Sequence, residues 1–391
     1  MRYKIDDIVT LIMDYRGKTP KKLGMDWTEN SRDILAISAK NIKNGRLINK
    51  DKAHYGDENL YKKWMKDGDI KVGDILMTSE APLGESYLIT KPLKAILSQR
   101  TFLIRLNKEL ADPWFFYSLI QSPMFKMKLL AKATGTTVIG IKQKELRKII
   151  VDLPSLNIQK KIGYYFKVID QKIRLNNQIN DNLTQISLLN LANMIKNKSY
   201  EIHKISDLDI IISDHVANGS FKALKENVTY YDENNYALFL RNIDFKNRLG
   251  GANRYIDKES YNYLKKSHLF GGEVVISNVA DVGTIHRVPF INRPMVIGNN
   301  QIFIKSVHSF LTEYLYVYFK SYWGQNSIFS ITSGSAQQKF NKTDFRALEI
   351  PIPSPNWILT NIRPFILAKD KIFNETKSLE QLKKNLLNNY F

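Results

Sequence analysis

The chain has 391 residues, enough for two or three domains with cores of their own, and its 43% hydrophobic and 25% charged residues are the balance of an ordinary globular protein. It holds no cysteine, which excludes disulfides, thiolate metal sites and a cysteine nucleophile, and no apolar run approaches the roughly 18–20 residues that cross a bilayer. The net charge is +20: residues 1–200 carry 35 Lys+Arg against 20 Asp+Glu, a net +15, and residues 201–391 carry 23 against 18, a net +5, a field that favours a polyanionic partner.

In chain order, the first half opens on Met1–Ile12, MRYKIDDIVTLI, which has neither the apolar core nor the cleavage site of a leader; with the missing cysteines it suits a reducing cytoplasm. Short apolar strands separated by turn residues follow, Asp74–Thr78 among them, then an aromatic-rich helical stretch, Pro113–Leu130. A Gly135-Thr136-Thr137 loop leads to a strand ending in Leu153-Pro154-Ser155. After Pro154, apolar residues at Ile158, Ile162, Tyr165, Ile169, Ile173, Ile179, Leu183 and Ile186, with neither Gly nor Pro from Tyr164 to Tyr200, predict a coiled-coil helix of about 37 residues, roughly 55 Å long.

The second half repeats the plan. A strand over Glu273–Ser277, a helical stretch over Phe310–Tyr322, a Gly334-Ser335-Ala336 loop and an Ile352-Pro353-Ser354 turn precede a second helix with Ile358, Ile362, Phe365, Ile372, Leu379, Leu382 and Leu386 on one side and Pro364 near its start. A constant shift of 199 positions carries Gly135 onto Gly334, Arg147 onto Arg346, Pro154 onto Pro353 and Gly84 onto Gly283. Asn41-Ile42 matches Asn242-Ile243, and Gln99 before Phe102 matches Gln301 before Phe303. One long helix with a single apolar stripe needs a partner, and the repeat supplies it. The expected interface joins Ile158, Ile162, Ile169, Ile179, Leu183 and Ile186 to Ile362, Leu379, Leu382 and Leu386. The expected architecture is α+β: two pseudo-repeated α/β domains, 1–154 and 200–353, separated by two long antiparallel coiled-coil helices, 155–199 and 354–391.

No catalytic motif survives inspection. Asp112-Pro113-Trp114-Phe115 lacks the second proline of a methyltransferase amine-binding turn and reads as a capped helix start. In Gly135–Lys142 an isoleucine separates Gly140 from Lys142 and Gln143 stands where a phosphate loop needs a hydroxyl. The six histidines (54, 203, 215, 268, 286, 308) have no metal-site spacing. The expectation is a chain with no catalytic residue, no metal and no cofactor.

A DNA reader needs Lys and Arg for phosphates and hydroxyl, amide or guanidinium groups for base edges. The loops of the first half offer Lys18, Lys21, Lys22, Lys40, Asn41, Lys43, Ser79, Gln99, Arg100, Thr134 and Thr136. Those of the second offer Asn218, Ser220, Lys222, Arg241, Asn242, Asn278, Asn300, Gln301, Ser333 and Ser335. The same places recur in both halves with different residues.

The segment GTTVIGIKQKELRKIIVDLPSLNIQKKIGYYFKVIDQKIRLNNQINDNLTQ, residues 135–185, resembles the central conserved region of specificity subunits of type I restriction–modification systems, and Gly334 to the C-terminus resembles their distal conserved region. The resemblance implies two target recognition domains reading a split double-stranded DNA target. It also implies two docked modification (methyltransferase) subunits and restriction (translocase/endonuclease) subunits as partners. The distal helix is short and contains Pro364, which implies a weaker or frayed docking surface. The alternative is a non-catalytic coiled-coil scaffold binding only proteins; the +15 first half speaks against it.

Overall fold

The computed structural model describes residues 1–391 and divides into two compact units, Met1–Leu175 with Lys377–Phe391, and Asn176–Thr376. In the first, an antiparallel sheet orders its strands Val9–Asp14, Thr101–Leu106, Ile75–Thr78 and Ser86–Leu88. The central strands read as unbroken apolar runs because both faces are covered. Ile75, Met77, Phe102 and Ile104 point into a core under the helices Pro113–Leu119 and Pro123–Ala131. Leu76 and Leu103 point into a second core with Trp64 and Ile96, beside the three-stranded sheet His54–Gly56, Ile34–Ile37, Ile96–Leu97. The expected single helical stretch over 113–130 is two helices. Pro123 cannot continue the first, and Ser122 caps the second by accepting from the Phe125 N–H.

The second unit repeats this plan. Its sheet orders Ile211–Asp214, Gln301–Lys305, Val274–Ser277 and Ile285–Arg287, and the accompanying sheet grows to five strands around Ala237–Leu240. The helices Ser309–Lys320 and Tyr322–Ser330 lie in chain order where the first unit has its pair, again divided by a capping serine, Ser321. In both units the first strand pairs with the strand before the Pro-Ser turn: Arg2–Lys4 with Ile150–Asp152, and Glu201–Lys204 with Glu349–Ile352.

Pairing also corrects two sequence matches. Thr101 pairs with Thr78 while Gln301 pairs with Ser277, so Gln301 stands where Thr101 does. Gln99 therefore corresponds to Asn299, and Arg100 to Asn300, both of them at positive φ. Likewise the Ser38 N–H donates to the Asn41 carboxamide as the Arg241 N–H donates to the Asp244 carboxylate, so Asn41 corresponds to Asp244 and the Asn-Ile dipeptides do not align.

The first long helix spans Leu156–Lys196, 41 residues, and the second Arg363–Tyr390, 28 residues, after a short helix Pro355–Asn361. The first helix begins eight residues before the Gly-free stretch and runs through Gly163. A Cβ there would meet the Asp112 carboxylate at 2.5 Å and the Phe115 nitrogen at 2.9 Å, so only glycine lets the helix pass the capped start of 113–119. The second helix has Ile362 at the corresponding place; the chain breaks there, and Pro364 enters within the first turn of the new helix.

Burial overturns part of the expected interface. Ile158 (48% exposed), Ile186 (39%) and Leu382 (47%) face solvent; Ile169 and Ile362 are buried; Ile162, Ile179, Leu183, Leu379 and Leu386 are half-buried. The buried residues of the first helix include Gln159, Phe166, Ile169, Asp170, Asn176, Asn177, Ser187, Leu191 and Met194, polar at mid-helix and apolar on either side of it. In the first unit Asp170 accepts from Lys383 at 3.0 Å and from Arg174 at 2.6 Å, and Phe391 stacks on Phe166 and meets Phe115 edge-on. The C-terminal turn is thus anchored in the core. In the second unit Asn176 donates to Glu375, its own mate one repeat length away, and to Thr376, so the helix pair is antiparallel about this point.

Candidate nucleic-acid interface

In each unit backbone hydrogen bonds lace loops at corresponding positions onto one edge of the main sheet. In the first, the Ala39 N–H donates to Gln99 O, Ser79 N–H to Arg100 O, and Ile141 N–H to Ser79 O. Arg16 completes the row: it holds Asp14 through Nε at 2.9 Å and reaches Ile141 O through Nη1 at 2.9 Å. In the second, Gly298 N–H donates to Leu240 O, Asn278 N–H to Asn300 O, Phe340 N–H to Asn278 O, and Ala280 N–H to Gln338 O. The edge therefore carries chain positions 38–41, 79–80, 98–100 and 134–141, and their counterparts.

The loop over 134–140 closes as a small hairpin, Thr134 bridging Gly140, as Ser333 bridges Lys339. Gly135 and Gly334 turn it at φ +110° and +100°; a Cβ on either would lie 2.2 Å from Val138 O or 2.4 Å from Gln337 O. The side chains above these glycines are exposed in both copies.

The candidate residues separate into two sets. Lys21, Lys40, Gln99, Thr134 and Thr136 are exposed; so are Lys222, Asn300, Ser333 and Ser335. Arg100 is half-exposed and pairs with Glu80 at 2.9 Å, a contact weak enough to be exchanged for a phosphate or base. Lys22 donates to Gly17 O at 2.6 Å from an exposed position, and Lys43 is partly buried. Ser220 caps the helix Phe221–Asn227.

Others hold the fold. Lys18 turns inward, donating to Trp64 O at 2.6 Å with its ammonium over the Tyr15 ring, and burial lowers its pKa. Ser79 and Gln301 are buried, the latter donating to Leu240 O. Asn41 is buried and holds Ile48 O and Asn49 O; Asn278 donates to Phe340 O. Asn218 ties His215 O to Ser267, and Arg241 is clamped on Asp244. Asn242 donates to Asp281 and accepts from His286 Nε2, whose pKa burial lowers to about 3, so that ring stays neutral. Sequence reasoning missed Lys132, Lys142, Gln337, Gln338 and Lys339, all exposed on or beside the hairpins. The repeat itself was the available signal, since it places both hairpins at the same edge.

Chemically this edge offers ammonium groups, hydroxyls and carboxamides, the donors that meet phosphates and base edges. Among the described residues no three His, Cys, Asp or Glu side chains gather to hold a metal, and no helix is long and apolar enough to cross a membrane.

The family model for the type I restriction modification DNA specificity domain matches twice, over residues 1–185 and 200–382. A curated protein of Methanocaldococcus jannaschii, described as a type I restriction enzyme MjaX specificity subunit, is 24% identical over 97% of both chains. Among solved structures, the S subunit of a type I restriction–modification system from M. genitalium superposes with a TM-score of 0.50 at 15% identity, covering 99% of this chain and 94% of that one. An S subunit from Thermoanaerobacter tengcongensis is matched over 99% and 95% at 16% identity, with a TM-score of 0.34.

Proposed function

The chain belongs to the type I restriction–modification DNA specificity family, and from that premise we propose how its parts divide the work. It is the non-catalytic, DNA-recognising subunit of a complex whose chemistry resides in modification and restriction subunits. Each unit reads one half of a split duplex target through the edge built from its loops. The observation that carries this reading is the pair of laced edges: the same backbone bonds at repeat-related positions present different side chains, Gln99, Arg100 and Thr136 in one unit against Asn300, Ser335, Gln337 and Gln338 in the other. A shared scaffold with divergent tips is what two readers of unlike half-sites require. Lys21, Lys40, Lys132 and Lys142 supply phosphate contacts that position the duplex without specifying it.

The long helices serve two purposes in this reading. Buried polar contacts at mid-helix and apolar contacts on either side pair them, and the apolar stripe that faces away is left for partners. In the first unit Ile158, Tyr165, Val168 and Leu175 are exposed at heptad spacing; in the second, Ile186 and Leu189. This stripe suits helices of the modification subunits. The place of action is the cytoplasm, consistent with the absence of cysteine.

Selection of bound duplexes from a randomised library by the complex with its modification subunits tests the reading. It should return two short constant blocks separated by a gap of fixed length and free sequence. One uninterrupted block, or no enriched sequence, overturns it.

A further inference from the structure

The two units differ sharply at one matched place, where the first helix of each aromatic-rich pair meets the long helices. In the first unit Tyr117 is fully buried there, and Asp170 supplies a carboxylate bound by Arg174 and Lys383, with Arg174 lying over the Tyr87 ring and closing the space. One repeat length on, Tyr117 becomes Tyr316, but the carboxylate is gone: Lys369 stands in the position of Asp170, Thr184 in that of Lys383, and Lys320 in that of Gln121. Lys369 donates to Thr184 and, at 3.3 Å, to the Tyr316 hydroxyl. Lys320 makes no hydrogen bond or ion pair. Both ammonium groups lie near the Tyr316 ring, 5.0 Å and 5.3 Å from its centre. Beside these two lysines the second unit holds a cavity of about 260 Å³, with Phe290 and Pro289 in its walls.

The cavity is lined by four cations, Lys320, Lys369, Arg248 and Arg287, against two carboxylates, Asp181 and Asp370. Arg287 is matched by Asp370 at 3.1 Å, which leaves that pair neutral. His286, kept neutral by burial, adds nothing. The phenols register the difference. Burial and then Asp170 raise the Tyr117 pKa; burial would raise Tyr316 too, but Lys320, Lys369 and Arg287 outweigh it and bring it below its ordinary value.

We propose that this cavity of the second unit binds a small phosphate-bearing anion, seated between Lys320 and Lys369 in the role that the Asp170 carboxylate fills in the first. The space exceeds that of inorganic phosphate and admits a mononucleotide, whose base would lie against Phe290. The ligand would brace the second unit against its own stretch of the helix pair, as the ion pairs of Asp170 do in the first.

Calorimetric titration of the full chain with inorganic phosphate and, separately, with AMP, both at matched ionic strength, tests this. One saturable site per chain is expected for at least one of the two. Equal affinities identify the phosphate group alone as the ligand; AMP tighter by tenfold or more identifies a nucleotide; either supports the proposal. Lys320→Ala should weaken binding at least tenfold. Lys369→Asp, which installs the first unit's solution, should abolish it while circular dichroism and DNA binding stay unchanged. Lys160→Ala, an exposed lysine outside the cavity, should change nothing. Absence of saturable binding to either probe, or binding that survives both cavity variants, overturns the proposal.

Discussion

Removing the Asp170 carboxylate should be far more damaging than removing the whole ionic cluster around it. The Asp170, Lys383 and Arg174 side chains are 7%, 14% and 18% exposed, so all three charges have left water. Asp170→Ala strands two cations in that setting, and breaking a buried pair from one side costs about 3–5 kcal/mol. The triple change Asp170→Leu, Arg174→Met, Lys383→Met removes every charge and keeps the volume; such exchanges range from neutral to about 1–4 kcal/mol stabilising. Urea unfolding of the full chain, with Trp323 and Trp357 replaced by Phe so that only Trp27, Trp64 and Trp114 report, isolates the first unit. The single variant should lose that much stability and the triple should recover nearly all of it. The pH dependence has a fixed sign. Burial would raise the Asp170 pKa, but Lys383 and Arg174 outweigh it and hold it below the ordinary value of 3.8. A depressed folded pKa stabilises fully above the unfolded value and is lost as pH falls through the folded one. The difference between wild type and Asp170→Ala should therefore be flat above about pH 5 and shrink only below about pH 4. A single variant that costs under about 1 kcal/mol, or a triple variant as unstable as the single, would refute the claim that this seam is held by the ionic cluster.

Lys18→Ala should lower stability by about 1–2 kcal/mol and leave the salt dependence of DNA binding unchanged, because its ammonium is spent on Trp64 O. Lys21→Ala and Lys40→Ala should do the reverse, each flattening the slope of log K against log salt by about 0.9; titrations between 50 and 200 mM salt separate the two classes. Gly135→Ala or Gly334→Ala should cost about 1–3 kcal/mol in DNA affinity through the misfolded hairpin, with the unfolding midpoint nearly unmoved, as gel shift and calorimetry on the same samples would show. Tyr165→Glu with Val168→Glu should abolish co-elution with the modification subunits while duplex binding by the chain alone persists. Deleting one matched heptad from each long helix removes about 10 Å and should shorten the preferred gap between half-sites by roughly three base pairs, read by methylation protection.

Architecture was legible because the repeat is: one shift of 199 aligned the strands, hairpin glycines and Pro-Ser turns that the two units share. Local resemblance misleads where an insertion intervenes: Gln301, 202 positions beyond Gln99, looked like its mate and is instead a buried strand residue. Helical periodicity showed that the long helix needed partners but not which face took which. The apolar stripe with Ile158 and Ile186 was the natural candidate for the internal seam, yet the seam is polar at its middle, where Asp170, Asn176 and Thr376 find partners across it, and takes Phe166, Leu191 and Met194 instead of Ile158 and Ile186. Among the DNA candidates, residue type cannot distinguish a lysine that reaches outward from Lys18, whose side chain folds over two aromatic rings. Carboxamides such as the buried Asn41 and the half-buried Asn218 fail for the same reason: a loop must satisfy its own backbone before its side chains are available to a ligand.

The central claim, that each unit reads its own half of a split target, is tested most directly by changing one edge and sequencing what both units then select. Replacing Gln99 and Arg100 by Ala in the full complex should relax base preference in one block by about 1–3 kcal/mol per lost contact, leaving the second block and the gap as in wild type. Replacing Gln337 and Gln338 should relax the other block alone. If either pair of changes alters both blocks together, or alters neither while binding persists, the account of two independent readers is contradicted.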